Sequence, residues 1–548
     1  MDDMIQGTNR PVRIMIVGDS MSHGHEGDFT WRYRLWQWLK HESIDFEFVG
    51  PYRGTKTPDQ PHPPQPPALE DDLPTGADVA IDRGGYAAGV HFNSHHFSAW
   101  GRQATQCKDL IKDQVAQFRP DYLLVMLGFN DMGWGVADAE NTLGAMRELV
   151  NNARTAKSDI KFAIADVPMR TPMDGAETLP PMVEKYSQLL QISIENWTTV
   201  ESPAKLVEIR HGYDCSHGSY DGLHPNALGE YQIARAFSQT LFRQFRSGRK
   251  ELSIPQEVPQ RPTPVPANVV AEAVPYGISV TWDPTYGALG YDVRSQKNES
   301  LSWNEARVDV AQYDSTWTRE GDEYQYQIRS CNGESLKSAW STTVSAIAHP
   351  KTAPGPRNIT TKPETDKIIV MWEEPPEKVQ VDRYEIILVD LSLPGSFPAS
   401  TGVRGTVAIF NDLPGGHRYG LAISTWTKYG GGVPAGGRSF IAGCGKPQVP
   451  TQLRIEAQEI NTVQLKWKRS ESAAGYRVWV RDRAENPGFT EDGETDSTEY
   501  SITFLYPGAW NFEFCVSAYN GSLESERSGC VVLPRSDVDS RRGVLALS

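Results

Sequence analysis

Apolar positions in the first 250 residues switch repeatedly between two periods. Residues 12–17 (Val-Arg-Ile-Met-Ile-Val) form a short, mostly apolar run of strand length, whereas 31–42 places Trp31, Leu35, Trp38 and Leu39 at helical spacing. The alternation recurs as helix over 103–118, strand over 122–127, helix over 139–156 and strand over 161–167, with further helices over 181–197 and 227–245. Such a pattern predicts an α/β architecture, a parallel sheet covered on both faces, with ligands at the carboxyl ends of the strands. Ser20 and Asn130 fall at two such ends. Trp31, Trp36 and Trp38 are expected to pack their helix on the sheet rather than to line a sugar or lipid site. Between 51 and 89 the periodicity lapses into a Pro- and Gly-rich stretch that includes Pro61-His62-Pro63-Pro64-Gln65-Pro66-Pro67. A loop of that length either borders an active site or is disordered.

After residue 250 helical spacing gives way to short alternating strands, announced by the Pro-rich linker 255–262. A repeat of roughly ninety residues follows, each copy with a Trp closing an early strand: Trp282, Trp372 and Trp467. Tyr291, Tyr384 and Tyr476 lead the next strand, and alternating strands at 324–328, 419–423 and 512–516 come late in each copy. In the second and third copies a Leu and a Pro-Gly turn precede that strand (Leu413-Pro414-Gly415, Leu505-Tyr506-Pro507-Gly508). Short strands around one core Trp per unit predict three all-β sandwiches, and these repeats resemble fibronectin type III domains. The chain then divides into an α/β domain at 10–248, a linker at 249–261, sandwiches at 262–350, 351–445 and 446–535, and a tail at 536–548.

Charge and composition narrow the function. With 69 acidic against 54 basic residues the net charge is −15, and no basic stripe offers itself to phosphates, so nucleic acid is not an expected partner. No stretch approaches the roughly 20 apolar residues needed to span a bilayer. Met1-Asp2-Asp3-Met4 carries acid where a secretory signal carries base. As written the chain reads as cytoplasmic, and as extracellular only if the N-terminus is trimmed or export takes another route. Cys515 and Cys530 could bridge one hairpin in an oxidising compartment, but buried free thiols are the favoured reading. The glycosylation patterns at Asn196, Asn298, Asn358 and Asn520 are expected to be idle without export.

The candidate chemistry lies in the α/β half. A serine hydroxyl is a poor nucleophile unless a base stands within hydrogen-bond reach and a third group orients that base. Gly18-Asp19-Ser20 supplies the hydroxyl, and Asp221-Gly222-Leu223-His224, in a loop entering the last helix, supplies both other parts. An anionic tetrahedral intermediate also needs donors aimed at its oxygen. Asn130, in Gly128-Phe129-Asn130-Asp131, is placed to be one. His23, His25, His91, His95, His96, His211, Asp214, Cys215 and His217 could be drawn as metal ligands, but none has a recognised spacing, and no metal or cofactor is expected.

These segments, in this order, resemble the SGNH (GDSL-type) hydrolase family, with Met21 where the family name has Leu and with Gly101 as the weaker match to the second block. The resemblance implies a three-layer α/β fold with a flavodoxin-like parallel sheet, and a carboxylic ester hydrolase in which Ser20 is the nucleophile, His224 the general base and acid and Asp221 the orienter. It implies an oxyanion hole made by the N–H groups of Ser20 and Gly101 and the side-chain amide of Asn130. The expected partner is a small-molecule or polymer-linked ester, with acetyl esters on carbohydrate as one candidate, because fibronectin-like modules are frequent appendages of enzymes acting on polymers. Acyl transfer or lipid ester hydrolysis on the same residues is the alternative within enzymes. A non-catalytic binding or adhesion protein is the alternative outside them. For the sandwiches, binding of a polysaccharide, docking of a protein partner and spacing remain open.

Overall fold

The computed structural model describes residues 10–69, 83–173, 176–298, 300, 302–365, 367–376, 378–393, 395–459, 462–483, 488–503 and 511–533. In the α/β half, β1 (Val12–Gly18), β2 (Phe46–Phe48), β3 (Phe97–Ser98), β4 (Tyr122–Met126), β5 (Lys161–Ala165) and β6 (Ala204–Val207) form one parallel sheet. The order is β2-β1-β4-β5-β6, with β3 pairing β1. Its helices are α1 (Ser20–His23), α2 (Thr30–His41), α3 (Ala104–Phe118), α4 (Phe129–Gly133), α5 (Ala139–Ala156), α6 (Leu179–Trp197) and α7 (Ala227–Phe245). The strand order reverses between β1 and β4, which opens a crevice beyond their carboxyl ends. Burial explains the elements: Leu123, Leu124 and Val125 of β4 are wholly enclosed, as a strand covered on both faces requires.

The tryptophan-rich helix packs as its spacing implied. Trp31 is fully buried and stacks on Phe237 of α7 at 4.5 Å, and the Trp38 indole N–H donates to the Lys250 carbonyl at 2.9 Å. Helices α5 and α7 span the predicted residues; α1 and α4, of four and five residues, and the short strands β2, β3 and β6 were not predicted.

The C-terminal half is a series of antiparallel sheets grouped around three separate hydrophobic cores. Each core holds the repeated Trp against the repeated Tyr in the same edge-on geometry. Ring centroids are 5.1 Å apart for Trp282–Tyr291, 5.3 Å for Trp372–Tyr384 and 5.3 Å for Trp467–Tyr476. The Pro-Gly turn at 507–508 and the tail at 536–548 lie outside the described residues. Cys515 and Cys530 are joined in a disulfide, which corrects the expectation of free thiols. The reason is register: Phe514 pairs with Val531, and this sets the two cysteine Cα atoms 4.5 Å apart. Among the described residues no helix is long and apolar enough to cross a membrane.

The halves are docked on each other. Arg261 is buried, donates to Asp28 Oδ1 at 2.9 Å and hydrogen-bonds the Glu26 carbonyl, so the end of the Pro-rich linker is pinned to the loop after α1. Tyr286 of the first sandwich donates to the Tyr86 carbonyl at 2.6 Å. The Pro-rich stretch has a course that its composition did not reveal: Lys56 and Asp59 lie beside the crevice, and the chain then runs out to the second sandwich. There the Ala68 carbonyl accepts from Gly402 N at 2.9 Å and the Pro67 carbonyl from Arg383 at 2.8 Å. Residues 70–82 of that stretch lie outside the described residues.

Candidate active site

Three segments start from one rung of the sheet. Gly18 at the end of β1 pairs with Ser98 on one side and Met126 on the other. Ser20, Gly101 and Asn130 therefore stand two, three and four residues beyond the same level. Gly18 also explains the tight turn into α1, since a Cβ there would meet the Ser22 Oγ at 2.3 Å. Asp19 caps α1, its carboxylate accepting Met21 N at 3.0 Å, which leaves Ser20 free of the capping task.

The distant loop closes onto this rung. His224 Nε2 lies 2.9 Å from Ser20 Oγ, and His224 Nδ1 lies 2.6 Å from Asp221 Oδ2. An ionised carboxylate only accepts, so it holds the imidazole proton on Nδ1 and presents Nε2 as an acceptor for the serine hydroxyl. Asp221 Oδ1 accepts the backbone N–H groups of Leu223 and His224 at 3.0 and 2.7 Å, which fixes the carboxylate before the imidazole meets it. Burial works to raise the Asp221 pKa. The hydrogen bond and charge of His224, together with the two N–H groups, outweigh it and hold the carboxyl below its ordinary range.

Asn130 is buried, and its amide donates to the Arg102 carbonyl at 3.1 Å, leaving its second N–H uncommitted. Among the described residues neither the Ser20 nor the Gly101 N–H donates to a protein acceptor. The set can carry a proton from hydroxyl to imidazole while offering donors to a developing oxyanion.

Four contributors were not singled out from the sequence. Asp131 is fully buried and receives Ala104 N and Thr105 N at 2.7 and 2.9 Å. It thus caps α3 and ties the Gly101 segment to the Asn130 segment. Trp100 and Tyr220 lie nearly parallel to the His224 ring, at 4.9 and 5.7 Å between centroids. The last is Asp19: burial pushes its carboxyl up to about 7, against the Met21 N–H and the His224 charge, which favour ionisation. The spacing Gly-x-Asn-Asp held the signal for Asp131; the aromatic neighbours left none.

Asp19 has a consequence for stability. With a folded pKa of about 7 against 3.8 for the free side chain, the fold holds a proton that the unfolded chain releases between those values. Stability therefore falls as pH rises through that window, with the full penalty, on the order of 4 kcal/mol, present above it. Asp19→Asn keeps an oxygen for Met21 N and removes the charge. Denaturant titrations should show the variant gaining on the parent from pH 5 to pH 8; parallel curves would rule the effect out.

The histidines set aside as metal ligands are scattered. His23 and His96 are buried with ring centroids 5.2 Å apart, while His217 pairs with Asp214 at the surface. Among the described residues no group of three or more potential ligand side chains stands together.

Residues 16–231 match the model of the GDSL-like Lipase/Acylhydrolase family. Among curated proteins none matches the chain. The solved structures similar to it include a carbohydrate esterase family 3 from Talaromyces cellulolyticus, at 21% identity and TM-score 0.33 over 43% of this chain and 100% of that one. The Clostridium thermocellum family 3 carbohydrate esterase is similar at 18% identity and TM-score 0.32, over 44% and 100%. The FN1–FN3 domains of chicken CNTN1 are similar at 15% identity and TM-score 0.18, over 50% and 98%. The family match runs from within β1 into α7 and so takes in Ser20, Asn130 and His224 together. The α/β half of this chain is a domain of the GDSL-like lipase/acylhydrolase family, an ester-bond hydrolase carried on a β-rich C-terminal half.

Proposed function

We propose that the chain is a serine esterase that works through an acyl-enzyme on Ser20. His224 Nε2 takes the hydroxyl proton as Oγ attacks the ester carbonyl, then gives it to the departing alcohol oxygen. Water, deprotonated by the same imidazole, releases the acid and restores the serine. Asp221 orients the imidazole, and the N–H groups of Ser20 and Gly101 with the Asn130 amide receive the oxyanion. The observation that carries this reading is the unbroken hydrogen-bonded line from Ser20 Oγ through His224 to Asp221, with spans of 2.9 and 2.6 Å. We take acetyl esters of a carbohydrate alcohol as the substrate. Ser20 is only 7% exposed, and a small acyl group is the one most readily brought to the roughly 3–3.5 Å that attack requires.

A fluorophosphonate probe followed by peptide mapping tests this reading. Modification at Ser20 is the expected result. Folded protein that stays unlabelled at Ser20 would instead favour a binding protein built on a hydrolase scaffold.

A further inference from the structure

A cleft of about 710 Å³ opens beside the proposed triad, and its far wall belongs to the first β-sandwich. On the hydrolase side it is bounded by Lys56, Asp59, Trp100 and Asp221. On the opposite side stand Arg307, Asp309 and the loop 332–336. The two sides are held close: Gly333 sits at φ +98°, and a Cβ on it would meet the Tyr220 carbonyl oxygen at 2.9 Å. Only glycine lets that loop press on the segment carrying Asp221 and His224.

Position assigns the cleft to one part of the ester. The departing oxygen must come within reach of His224 Nε2 to be protonated, so the alcohol leaves on the histidine side of Ser20. Trp100 and Tyr220, the two rings parallel to His224, are both in the cleft wall, and so is the carboxylate that orients it. Wall chemistry then selects the alcohol. Asp59, Asp221, Asp309 and Glu334 line it together with Lys56 and Arg307. A fatty chain lying there would strip water from these charges and return no hydrogen bonds. An uncharged polyol replaces that water group for group, its hydroxyls donating to carboxylates and accepting from guanidinium and ammonium. Glu334 contacts Arg307 at 3.4 Å and Lys337 at 3.2 Å, yet its side chain stays 84% exposed, so its carboxylate can also accept from a sugar hydroxyl.

We propose that this interdomain cleft binds the alcohol part of the ester, that this part is a carbohydrate chain, and that Arg307 and Glu334 of the first sandwich are specificity-determining residues. The first sandwich is then a wall of the active site. The inference rests on the esterase reading above and goes further, by assigning the substrate's alcohol to residues outside the hydrolase domain.

The test compares kcat/KM for chemically acetylated xylotetraose with kcat/KM for p-nitrophenyl acetate in the full-length protein. In the double variant Arg307→Ala/Glu334→Ala the ratio of the two should fall at least tenfold. Ser335→Trp, which fills the cleft from an exposed loop position, should lower it by a similar factor. A merely structural role would slow both substrates together and leave the ratio where it was, and a ratio unmoved in both variants overturns the proposal. A parent that cleaves the aryl ester but not the acetylated oligosaccharide also overturns it while leaving the esterase reading intact. A parent unlabelled by fluorophosphonate and inert to both esters brings down the esterase reading and this inference with it.

Discussion

Ser20→Ala should lower kcat/KM for p-nitrophenyl acetate by about 10⁴-fold or more, while the protein melts as the parent does. The loss is large because Ser20 Oγ is the hydroxyl held 2.9 Å from His224 Nε2, whereas the Ser98 hydroxyl on the same rung is fully buried and turned to the Ile16 carbonyl. The fold should be indifferent because Asp19, not Ser20, caps α1, and alanine is the best helix former at the vacated position. A residual rate is expected from the donors at Ser20 N–H, Gly101 N–H and Asn130, which serve water as well as they serve a serine. Adding His224→Ala to Ser20→Ala should then cost almost nothing more, since base and nucleophile act as one unit. Steady-state kinetics on the two single variants and the double variant check both points. A Ser20→Ala rate within tenfold of the parent would remove Ser20 from the chemistry.

How much of this was legible beforehand depended on length scale. Helices of fifteen or more residues, such as α5 and α7, announce themselves through an apolar stripe repeated over several turns. The Trp and Tyr of each sandwich were legible because the same pair recurs three times in the same edge-on packing. Ser20, Asn130, Asp221 and His224 could be picked out because residue types with few structural uses in common stood at strand ends and a helix entry. The pieces that escaped are short or non-local. A strand of three residues like β2 has no period to detect, and α1 owes its existence to one cap. The hydrogen bonds of Ala68 to Gly402, of Tyr86 to Tyr286 and of Glu26 to Arg261 join residues hundreds of positions apart. No local pattern encodes them, so the docking of the sandwiches on the catalytic half, and the cleft it creates, had to come from the fold.

Asp221→Asn should lower kcat by about 10²–10⁴-fold, and by more than Asp221→Ala does. The reason lies in which atoms the neighbours need. Oδ1 is claimed by the N–H groups of Leu223 and His224, so an asparagine must place its amide oxygen there and turn its NH₂ toward His224 Nδ1. Two donors cannot face each other. The ring is forced to carry its proton on Nε2, which then points a hydrogen at Ser20 Oγ and can no longer accept one. Alanine imposes no such tautomer. The Asp221 side chain is 41% exposed toward the cleft, so water can reach Nδ1 in its place and accept the proton there. The parent carboxyl, held below its ordinary range, is ionised throughout neutral pH, so the deficit of the asparagine variant should persist across pH 6 to 8 instead of closing. Rates for the three proteins on one aryl acetate, with fluorophosphonate labelling in parallel, give the ordering: parent, then alanine, then asparagine. Equal rates for the two variants would mean that Asp221 supplies orientation alone and that the tautomer is set elsewhere.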